Sequence, residues 1–276
     1  MDIFWLKRNI KTSWRYRGGL WAFFVRLVFL YSSRLPKLMR RPEWVISFQY
    51  PEPIGSLCLL LRANNGADGF IHGEVFEHNY YHFELPCAPT TILDLGANIG
   101  MTTIYFHRCF PKAELACVEP MPGNLSVLRE NLRLNSVKAK LIPEAVNPTD
   151  GRVVMEVARK DYGHRVAKPG ETSGEQCIEV PAVSVRALLD ILKWDRIGLL
   201  KIDIEGHEKL LLSENASWLE LVDLICIECH DDFSSNDLRL LTERFGFLPP
   251  ERLPGVWLLR RSNGIRFQRT DGPALT

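Results

Sequence analysis

At residues 92–102 the chain reads Ile92-Leu-Asp94-Leu-Gly96-Ala-Asn98-Ile-Gly100-Met-Thr102, where an apolar run meets two glycines and then a helix-like stretch. A strand that passes through a glycine-containing turn into a helix is typical of the first unit of an open α/β sheet. Gly96 permits the tight turn, and Gly100 permits close backbone approach where the helix begins. The stretch therefore predicts an α/β fold with a ligand bound at this turn.

Short apolar runs alternate with amphipathic runs from residue 90 onward. Alternation of this kind indicates a Rossmann-like fold, with a mostly parallel sheet and helices on both of its faces. The predicted strands are 91–95, 114–119, 140–146, 198–204 and 223–229, and the predicted helices are 100–109, 123–134, 184–193, 206–213 and 235–245.

Two antiparallel hairpins are expected beside these parallel strands. Near the C-terminus, the strand-like runs 255–261 and 265–270 flank Asn263-Gly264, and Asn-Gly between two such runs is a strong hairpin signal. Residues 150–183 interrupt the alternation of strands and helices with two further strand-like runs. They predict a hairpin that is inserted before the fourth strand of the sheet.

Prolines mark a boundary near the start of the chain. They occur at positions 36, 42, 51 and 53, so residues 35–55 are expected to form a connector. We therefore divide the chain into a basic, aromatic N-terminal helical arm with its connector, residues 1–55, and one domain, residues 56–276, which carries the inserted hairpin.

The N-terminal arm is strongly basic. Residues 1–41 contain ten Lys or Arg residues and one acid, a local charge of +9 in a chain whose net charge is +1. Such an arm suits an anionic surface, and the aromatic residues among its cations give it the composition of a helix that lies in a membrane interface, with no nucleic acid expected. Its apolar run 20–31 is too short to cross a bilayer, which takes about 20 residues. We expect this helix to pack on its own domain, with peripheral contact with a membrane as the alternative.

Seven cysteines are scattered through the chain, and their odd number and spacing predict no disulfide framework. Cys226 and Cys229 match the metal-binding spacing C-x-x-C, but both lie in an apolar, strand-like run. Residues three apart on a strand point to opposite faces, so these sulfurs are not expected to share a metal. Free cysteines fit a reducing compartment, and we expect a cytoplasmic protein that contacts the membrane peripherally at most.

The ligand expected at the glycine-rich turn contains adenosine. Glu119 ends the second strand 19 residues after Gly100, where a carboxylate can accept both hydroxyls of a ribose. The spacing Gly-x-x-x-Gly lacks the central and third glycines of the dinucleotide fingerprint. Asp94 also places a carboxylate just before the turn, which would repel a pyrophosphate and attract a sulfonium. The sequence thus favours S-adenosylmethionine over a nicotinamide dinucleotide.

A second group of acids follows the fourth predicted strand. Asp203 and Glu205 lie at its carboxyl end, facing the crevice where open α/β sheets bind ligands, and Glu208 follows them. Alternatively, Glu205 and Glu208 complement the dipole of the next helix. His230 ends the fifth strand and could face Glu205 across the crevice, although a lone histidine is more often a structural hydrogen-bonding group. We predict catalytic roles for Asp203, Glu205 and His230.

Four motifs resemble those of the FkbM-type methyltransferases. In chain order they are Glu74-Val-Phe-Glu-His-Asn-Tyr80, Asp94-Leu-Gly-Ala-Asn-Ile-Gly100, Lys201-Ile-Asp-Ile-Glu-Gly-His-Glu208 and Ile225-Cys-Ile-Glu-Cys-His230. Together they cover about residues 70–232, and the basic arm lies outside them. This chain departs from the family at His207, where a small residue is common, so no role is carried over to that side chain.

The resemblance implies a class I methyltransferase fold with a seven-stranded sheet in the order 3-2-1-4-5-7-6. It also implies O-methylation of glycans, polyketides or related secondary metabolites. We expect the main-chain N–H groups after Gly96 to hold the methionyl end of the cofactor, Glu119 to hold its ribose, and Glu144 and Ala145 to flank its adenine. The predicted cofactor-binding residues are Asp94, Gly96, Ala97, Asn98, Gly100, Glu119, Glu144 and Ala145.

Residues and resemblance together predict a metal-independent O-methyltransferase that acts on a hydroxyl of a sugar, glycolipid or secondary metabolite. No metal is expected, because sulfonium methyl transfer needs no Lewis acid when a base is present. The inserted hairpin, with Tyr162, His164 and Arg165 near its tip, is expected to cover the acceptor. The alternative is a non-catalytic module that binds adenosylmethionine and is tethered by its basic arm.

Overall fold

A computed structural model of the chain describes residues 10–16, 18–30, 43–63, 66–158, 163–167 and 176–262. The α-helices used in this description are α1 (Leu20–Leu30), α2 (Ala67–Phe76), α3 (Met101–Cys109), α4 (Pro122–Leu134), α5 (Val185–Leu192), α6 (Glu208–Ser213) and α7 (Ser235–Thr242). Its strands are β1 (Glu43–Gln49), β2 (Ser56–Arg62), β3 (Thr91–Leu95), β4 (Glu114–Val118), β5 (Lys140–Ile142), β6 (Ala145–Val146), β7 (Gly151–Glu156), β8 (Arg165–Val166), β9 (Cys177–Val183), β10 (Ile197–Ile202), β11 (Val222–Ile227), β12 (Glu251–Arg252) and β13 (Trp257–Arg260).

The central sheet, over the described residues, has seven strands in the order β12-β13-β11-β10-β3-β4-β5. Five neighbouring strands of this sheet run parallel, namely β5, β4, β3, β10 and β11. Strand β13 pairs antiparallel with both β11 and β12. Numbered within the sheet, this order is 3-2-1-4-5-7-6. The predicted fold class, a mostly parallel seven-stranded sheet that ends in an antiparallel hairpin, is therefore confirmed.

The parallel strands are apolar on both faces because helices cover both sides of the sheet. Ile92 of β3 and Leu199 of β10 pack into the hydrophobic cluster on one face. Their neighbours Leu93 and Leu200 pack into the cluster on the other face. Successive side chains of a strand point to opposite faces, so continuous apolar runs suit strands that are covered twice.

The C-terminal hairpin is formed by other residues than those expected. Strand β12 pairs with β13, so the run predicted as the first strand of the hairpin is its second strand. The turn lies at Pro254-Gly255, where Leu253 N donates to Val256 O at 2.9 Å. Pro-Gly is itself a turn signal, and it lies nearer to the paired strands than Asn263-Gly264. Asn263-Gly264 and the run 265–270 lie outside the described residues.

The predicted strand 140–146 is wrong as a single element. It divides at Pro143, which has no N–H to donate to a strand ladder, into β5 of the central sheet and β6 of a second sheet. In that second sheet, β7 pairs antiparallel with β9 from Gly151 opposite Ala182 to Glu156 opposite Cys177. The inserted hairpin is confirmed, and β6 joins it by pairing parallel with β9.

The region predicted as a connector contains strand β1, which pairs antiparallel with β2. Ile46 and Phe48 alternate with exposed residues and are buried, which is why this run forms a half-buried strand. Helix α1 packs on this hairpin through buried Phe29, while Arg26 pairs with Glu77. The helix therefore packs on its own domain, as one of the two sequence interpretations expected. Among the described helices, none is long and apolar enough to cross a membrane.

Asn131 of α4 and Asn135, which caps the C-terminal end of that helix, attach the N-terminal hairpin to the rest of the domain. The Asn131 amide accepts from Leu60 N at 2.7 Å and donates to Leu60 O at 3.2 Å. The Asn135 amide likewise accepts from Cys58 N at 3.1 Å and donates to Cys58 O at 2.7 Å. Asn131 and Asn135, one helical turn apart, thus face Leu60 and Cys58, which are two residues apart on β2, and the two amides satisfy backbone groups at the edge of that strand.

Candidate functional site

A cavity of about 330 Å³ lies at the carboxyl ends of β3, β4, β10 and β11. Strand order reverses between β3 and β10, and open α/β sheets bind ligands where this reversal occurs. Most of the predicted site residues meet at this cavity. Those that line it are Gly96, Ala97, Asn98, Glu119, Ala145, Asp203, Glu205 and His230. Three do not line it, namely Asp94, Gly100 and Glu144.

The glycine-rich turn brings β3 and β10 together. Gly96 has a φ of +76°, and a Cβ at this position would lie 1.8 Å from the carbonyl oxygen of Asp203. Only a glycine allows that approach, which sets the Asp203 backbone beside the turn. At Gly100, a Cβ would meet Leu128 Cγ of α4 at 3.2 Å. The second glycine therefore serves the packing of α3 on α4, and not a ligand.

Asp94 acts within the fold. Its carboxylate is buried and accepts from the hydroxyls of Thr102 at 2.6 Å and Thr103 at 2.7 Å. The ammonium of buried Lys201 lies 3.2 Å from its other oxygen and donates to Gly96 O at 2.7 Å. These bonds join the turn, the start of α3 and strand β10. The ligand-binding role predicted for Asp94 is therefore not supported by its position.

Glu119 organises the loop opposite the turn. Its buried carboxylate accepts from Asn98 N and Met121 N, each at 2.9 Å, and from the Asn124 amide at 3.2 Å. Burial raises its pKa, while these three donors lower it, and the net shift is upward. Glu119 also lines the cavity, and its three hydrogen bonds fix the position of its carboxylate there. The sequence predicts that this carboxylate binds a ribose.

The main-chain N–H groups predicted to hold the methionyl end are already engaged. Gly96 N and Ala97 N donate to Val118 O at 3.0 and 3.1 Å, and Asn98 N donates to Glu119. The side-chain oxygen of Asn98, unlike these main-chain groups, is not hydrogen-bonded within the described residues. This Oδ1 atom is buried. An unpaired buried acceptor on a cavity wall indicates a donor that the ligand itself supplies.

His230 lies at the centre of a cluster of carboxylates. Its Nδ1 is hydrogen-bonded to Glu208 Oε1 at 2.9 Å. Its Nε2 is 3.7 Å from Glu205 Oε2 and 3.9 Å from Asp203 Oδ1. A further carboxylate oxygen, of Glu228, lies at 3.8 Å. The predicted catalytic residues are thus brought together, with Glu208 orienting the ring of His230.

The carboxylates strongly influence the charge of His230. Burial alone would lower its pKa, but the hydrogen bond with Glu208 and the charges of Glu208, Asp203 and Glu205 raise it to about 10. For Glu208, burial would raise the pKa, but the bond and charge of His230 lower it. The pair is therefore an imidazolium and a carboxylate at neutral pH.

Three acids at the cavity or beside His230 were not among the predicted site residues, although all belong to the quoted motifs: Glu208, already described, and Glu74 and Glu228. Burial and the charge of Asp203 raise the pKa of Glu74 to about 7, against the opposing hydrogen bond of Tyr80. The same two causes raise the pKa of Glu228 to about 8. Both line the cavity. The sequence signal for Glu74 and Glu228 was their position in the quoted motifs. Only the structure shows that both are buried near Asp203, which raises their pKa values.

Glu205 is held in an unusual backbone conformation. Its φ is +54° and that of Gly206 is +97°, so two consecutive residues adopt left-handed geometry. A non-glycine residue in this region is uncommon and often marks a functional site. Gly163 N donates to Glu205 Oε1 at 3.1 Å, and burial together with the charge of Asp203 raises the pKa of Glu205. The side chain is thus oriented towards the cavity by the turn and by the insertion.

The inserted hairpin forms part of the cavity wall. Gly163, His164 and Val166 line it, in agreement with the expected position of His164. Arg165 instead pairs with Glu156 of the hairpin itself at 2.9 Å, and Tyr162 lies outside the described residues. His207 lines the cavity and lies 3.0 Å from Asn147 Oδ1, and burial lowers its pKa.

Atoms of Asp203, Glu208 and His230 lie within 4.8 Å of one another, close enough to share a metal ion. The hydrogen bond between His230 and Glu208 accounts for the arrangement without one, since oppositely charged side chains pair in this way. Metal independence stays a prediction. Cys226 and Cys229 are both free cysteines.

The chain is similar to known methyltransferases. The family model of the methyltransferase FkbM domain matches residues 94–249, which include the glycine-rich turn and the cluster around His230. Methyltransferase sdnD of Sordaria araneosa is 33% identical over 58% of this chain and 73% of its own length. The 31-O-demethyl-FK506 methyltransferase FkbM of Streptomyces tacrolimicus is 25% identical over 67% and 84%. Hexuronic acid methyltransferase AglP of Haloferax volcanii is 25% identical over 54% and 60%.

Proposed function

Because the chain belongs to the FkbM methyltransferase family, we propose that it methylates a hydroxyl oxygen of a sugar, glycolipid or secondary metabolite. Its methyltransferase class and its cofactor, S-adenosylmethionine, follow from the family. The oxygen acceptor is the proposed part. The names of two relatives, which act on 31-O-demethyl-FK506 and on a hexuronic acid, support a hydroxylated acceptor.

The residues of the cavity fit this cofactor. The buried, unpaired Oδ1 of Asn98 suits the ammonium group of the methionyl end, which is a hydrogen-bond donor. Glu119 suits the ribose hydroxyls because it lines the cavity and a carboxylate can accept more than the three hydrogen bonds that it already accepts. Ala145 and Val146 add apolar surface to the wall, as an adenine requires. The acids around His230 supply negative charge, which suits a sulfonium.

The observation that carries the proposal is the carboxylate of Glu205 on the cavity wall, beside the charged ring of His230. A hydroxyl is a weak nucleophile until a base removes its proton. Burial and the charge of Asp203 raise the pKa of Glu205, which makes this carboxylate a stronger base than an exposed one. A base so placed suits an oxygen acceptor.

When bound, S-adenosylmethionine supplies an electrophilic methyl group. The protein then has to position the acceptor hydroxyl in line with that methyl group and remove its proton. Glu205 is the proposed base, because His230 with a pKa of about 10 holds its own proton at neutral pH and cannot accept another. The imidazolium of His230, oriented by Glu208, lies beside Glu205, and its positive charge favours the ionised form of that carboxylate. Asp203 orients the acceptor or the sulfonium end of the cofactor.

Transfer of a labelled methyl group tests the proposal. Purified protein should label an acceptor from a mixture of hydroxylated glycans and metabolites, and mass spectrometry of the product should place the label on oxygen. Label found only on nitrogen or carbon would contradict the oxygen acceptor but not the methyltransferase class. Tight binding of adenosylmethionine without labelling of any acceptor would favour the non-catalytic alternative.

A second prediction concerns the ribose contact. Replacing Glu119 with Ala removes an acceptor for two hydroxyls, which should weaken adenosylmethionine binding by about 1.5–3 kcal/mol. Titration calorimetry with the cofactor and its demethylated product measures this change. Glu144→Ala is the matched control, because Glu144 does not line the cavity and its loss should leave the affinity unchanged. Unchanged affinity in Glu119→Ala would refute the ribose assignment.

A further inference from the structure

Large apolar side chains are exposed on the N-terminal helical segments. Trp21 is 80% exposed, Phe24 56% and Trp14 51%. The rings of Trp14 and Phe23 pack edge to face at 5.4 Å, which connects residues 10–15 to α1. Further exposed apolar side chains of this surface are Ile10, Leu20 and Val28. Aromatic residues exposed together in this way mark an interaction surface.

The opposite side of α1 is anchored in the fold. Phe29 and Arg26 are both buried. The guanidinium of Arg26 lies over the ring of Phe48 of β1 and pairs with Glu77. Trp21, Phe24 and Val28 follow the three- and four-residue spacing of one helix face, so they point away from that anchor. The exposed face therefore has a fixed orientation on the domain.

The charge around this face is positive. Lys11 and Arg15 are exposed one helical turn apart, beside Ile10 and Trp14. Residues 1–41 carry a charge of +9, which leaves about −8 on the rest of the chain. Tryptophan and phenylalanine beside Lys and Arg are typical of helices that lie in a membrane interface, where aromatic rings enter the headgroup boundary and cations attract anionic lipids.

From this juxtaposition of an exposed aromatic face with a basic segment, we propose that residues 10–16 and 18–28 dock the protein on the surface of an anionic lipid bilayer. The apolar residues enter the interface, and Lys11 and Arg15 bind the anionic headgroups. This function goes beyond methyl transfer and does not depend on it. Docking of this kind is peripheral, because Arg26 and Phe29 keep the inner face of α1 on the protein.

Co-sedimentation with vesicles tests the proposal on the full chain. At low salt, the protein should sediment with vesicles of equal phosphatidylglycerol and phosphatidylcholine and much less with phosphatidylcholine alone. Molar salt should reduce binding to the anionic vesicles, because the screening length falls from about 10 Å at 0.1 M to about 3 Å at 1 M.

Paired substitutions locate the surface. Trp21→Glu with Phe24→Glu should lower the vesicle partition coefficient about tenfold or more, since apolar contact and net charge are both lost. Leu240→Glu with Leu248→Glu is the matched control. These leucines are 49% and 47% exposed elsewhere on the domain, so the control adds the same charge and should retain most of the binding. Circular dichroism and adenosylmethionine affinity report whether each variant is folded.

Three outcomes would overturn the proposal. The wild-type protein could remain in the supernatant with anionic vesicles at low salt, or the control pair could lose as much binding as the test pair. The third outcome is a dimer in analytical ultracentrifugation that Trp21→Glu with Phe24→Glu dissociates, without any binding to vesicles. That result would assign the face to a second copy of the chain.

Discussion

Replacing Glu205 with Gln should lower kcat by a factor of about 10² to 10⁴, the usual contribution of a general base. The amide keeps the shape of the side chain and can still accept from Gly163 N, but it cannot take a proton from the acceptor. Adenosylmethionine affinity should change little, because the predicted cofactor contacts lie at Asn98 and Glu119. Steady-state kinetics with the identified acceptor and calorimetry with the cofactor separate the two effects.

The pH dependence of the wild-type enzyme should agree with this assignment. A base must be ionised to act, and burial and the charge of Asp203 raise the pKa of Glu205. The value of kcat/KM should therefore fall as the pH decreases through a pKa above the range of an exposed carboxyl group. This acidic limb should be absent or displaced in Glu205→Gln.

Glu214→Gln provides the control, because Glu214 is an exposed carboxylate at the end of α6 and should have wild-type kinetics. Wild-type turnover in Glu205→Gln would exclude Glu205 as the base. If His230→Gln were inactive in that case, the histidine would be the base despite its raised pKa. A rise in KM at unchanged kcat would show that Glu205 only binds the acceptor.

Replacing Lys201 with Met should destabilise the protein by about 3–5 kcal/mol, the cost of removing one partner from a buried ion pair. Burial lowers the pKa of Lys201, but the carboxylates of Asp94 and Asp203 raise it by more, so the net shift is upward. The ammonium therefore stays charged inside the sheet. Without it, the buried carboxylate of Asp94 keeps its two threonine bonds but has lost its counter-charge. Urea unfolding followed by tryptophan fluorescence measures the change in the free energy of unfolding.

Lys209→Met is the matched control. Lys209 is half exposed and lies 3.8 Å from Asp232 and 3.9 Å from Asp237, and such surface pairs contribute about 0–1 kcal/mol. A double variant, Asp94→Asn with Lys201→Met, should be more stable than Lys201→Met alone, because it removes the uncompensated charge. Equal stability of the Lys201 and Lys209 variants would refute the structural role of the buried pair.

The secondary structure was largely predictable from the sequence because its signals are local. The strands β3, β4, β10 and β11 have apolar runs long enough to identify, and the glycines of residues 92–102 mark the turn at the cavity. The errors were also local in origin. Pro143 divides a predicted strand into two. The turn of the C-terminal hairpin lies at Pro254-Gly255, whereas the sequence analysis predicted it at Asn263-Gly264.

The sequence by itself determined the fold class and which strand ends meet at the cavity, because parallel strands place their carboxyl ends at one edge of a sheet. Only the tertiary structure decided what each polar side chain does there. Asp94 faces Lys201 and not the cavity, and His230 carries a proton, because both effects depend on burial and on charges that are distant in the chain. The charge state of a buried group follows from all of its neighbours together, and the packing of strands and helices sets those neighbours.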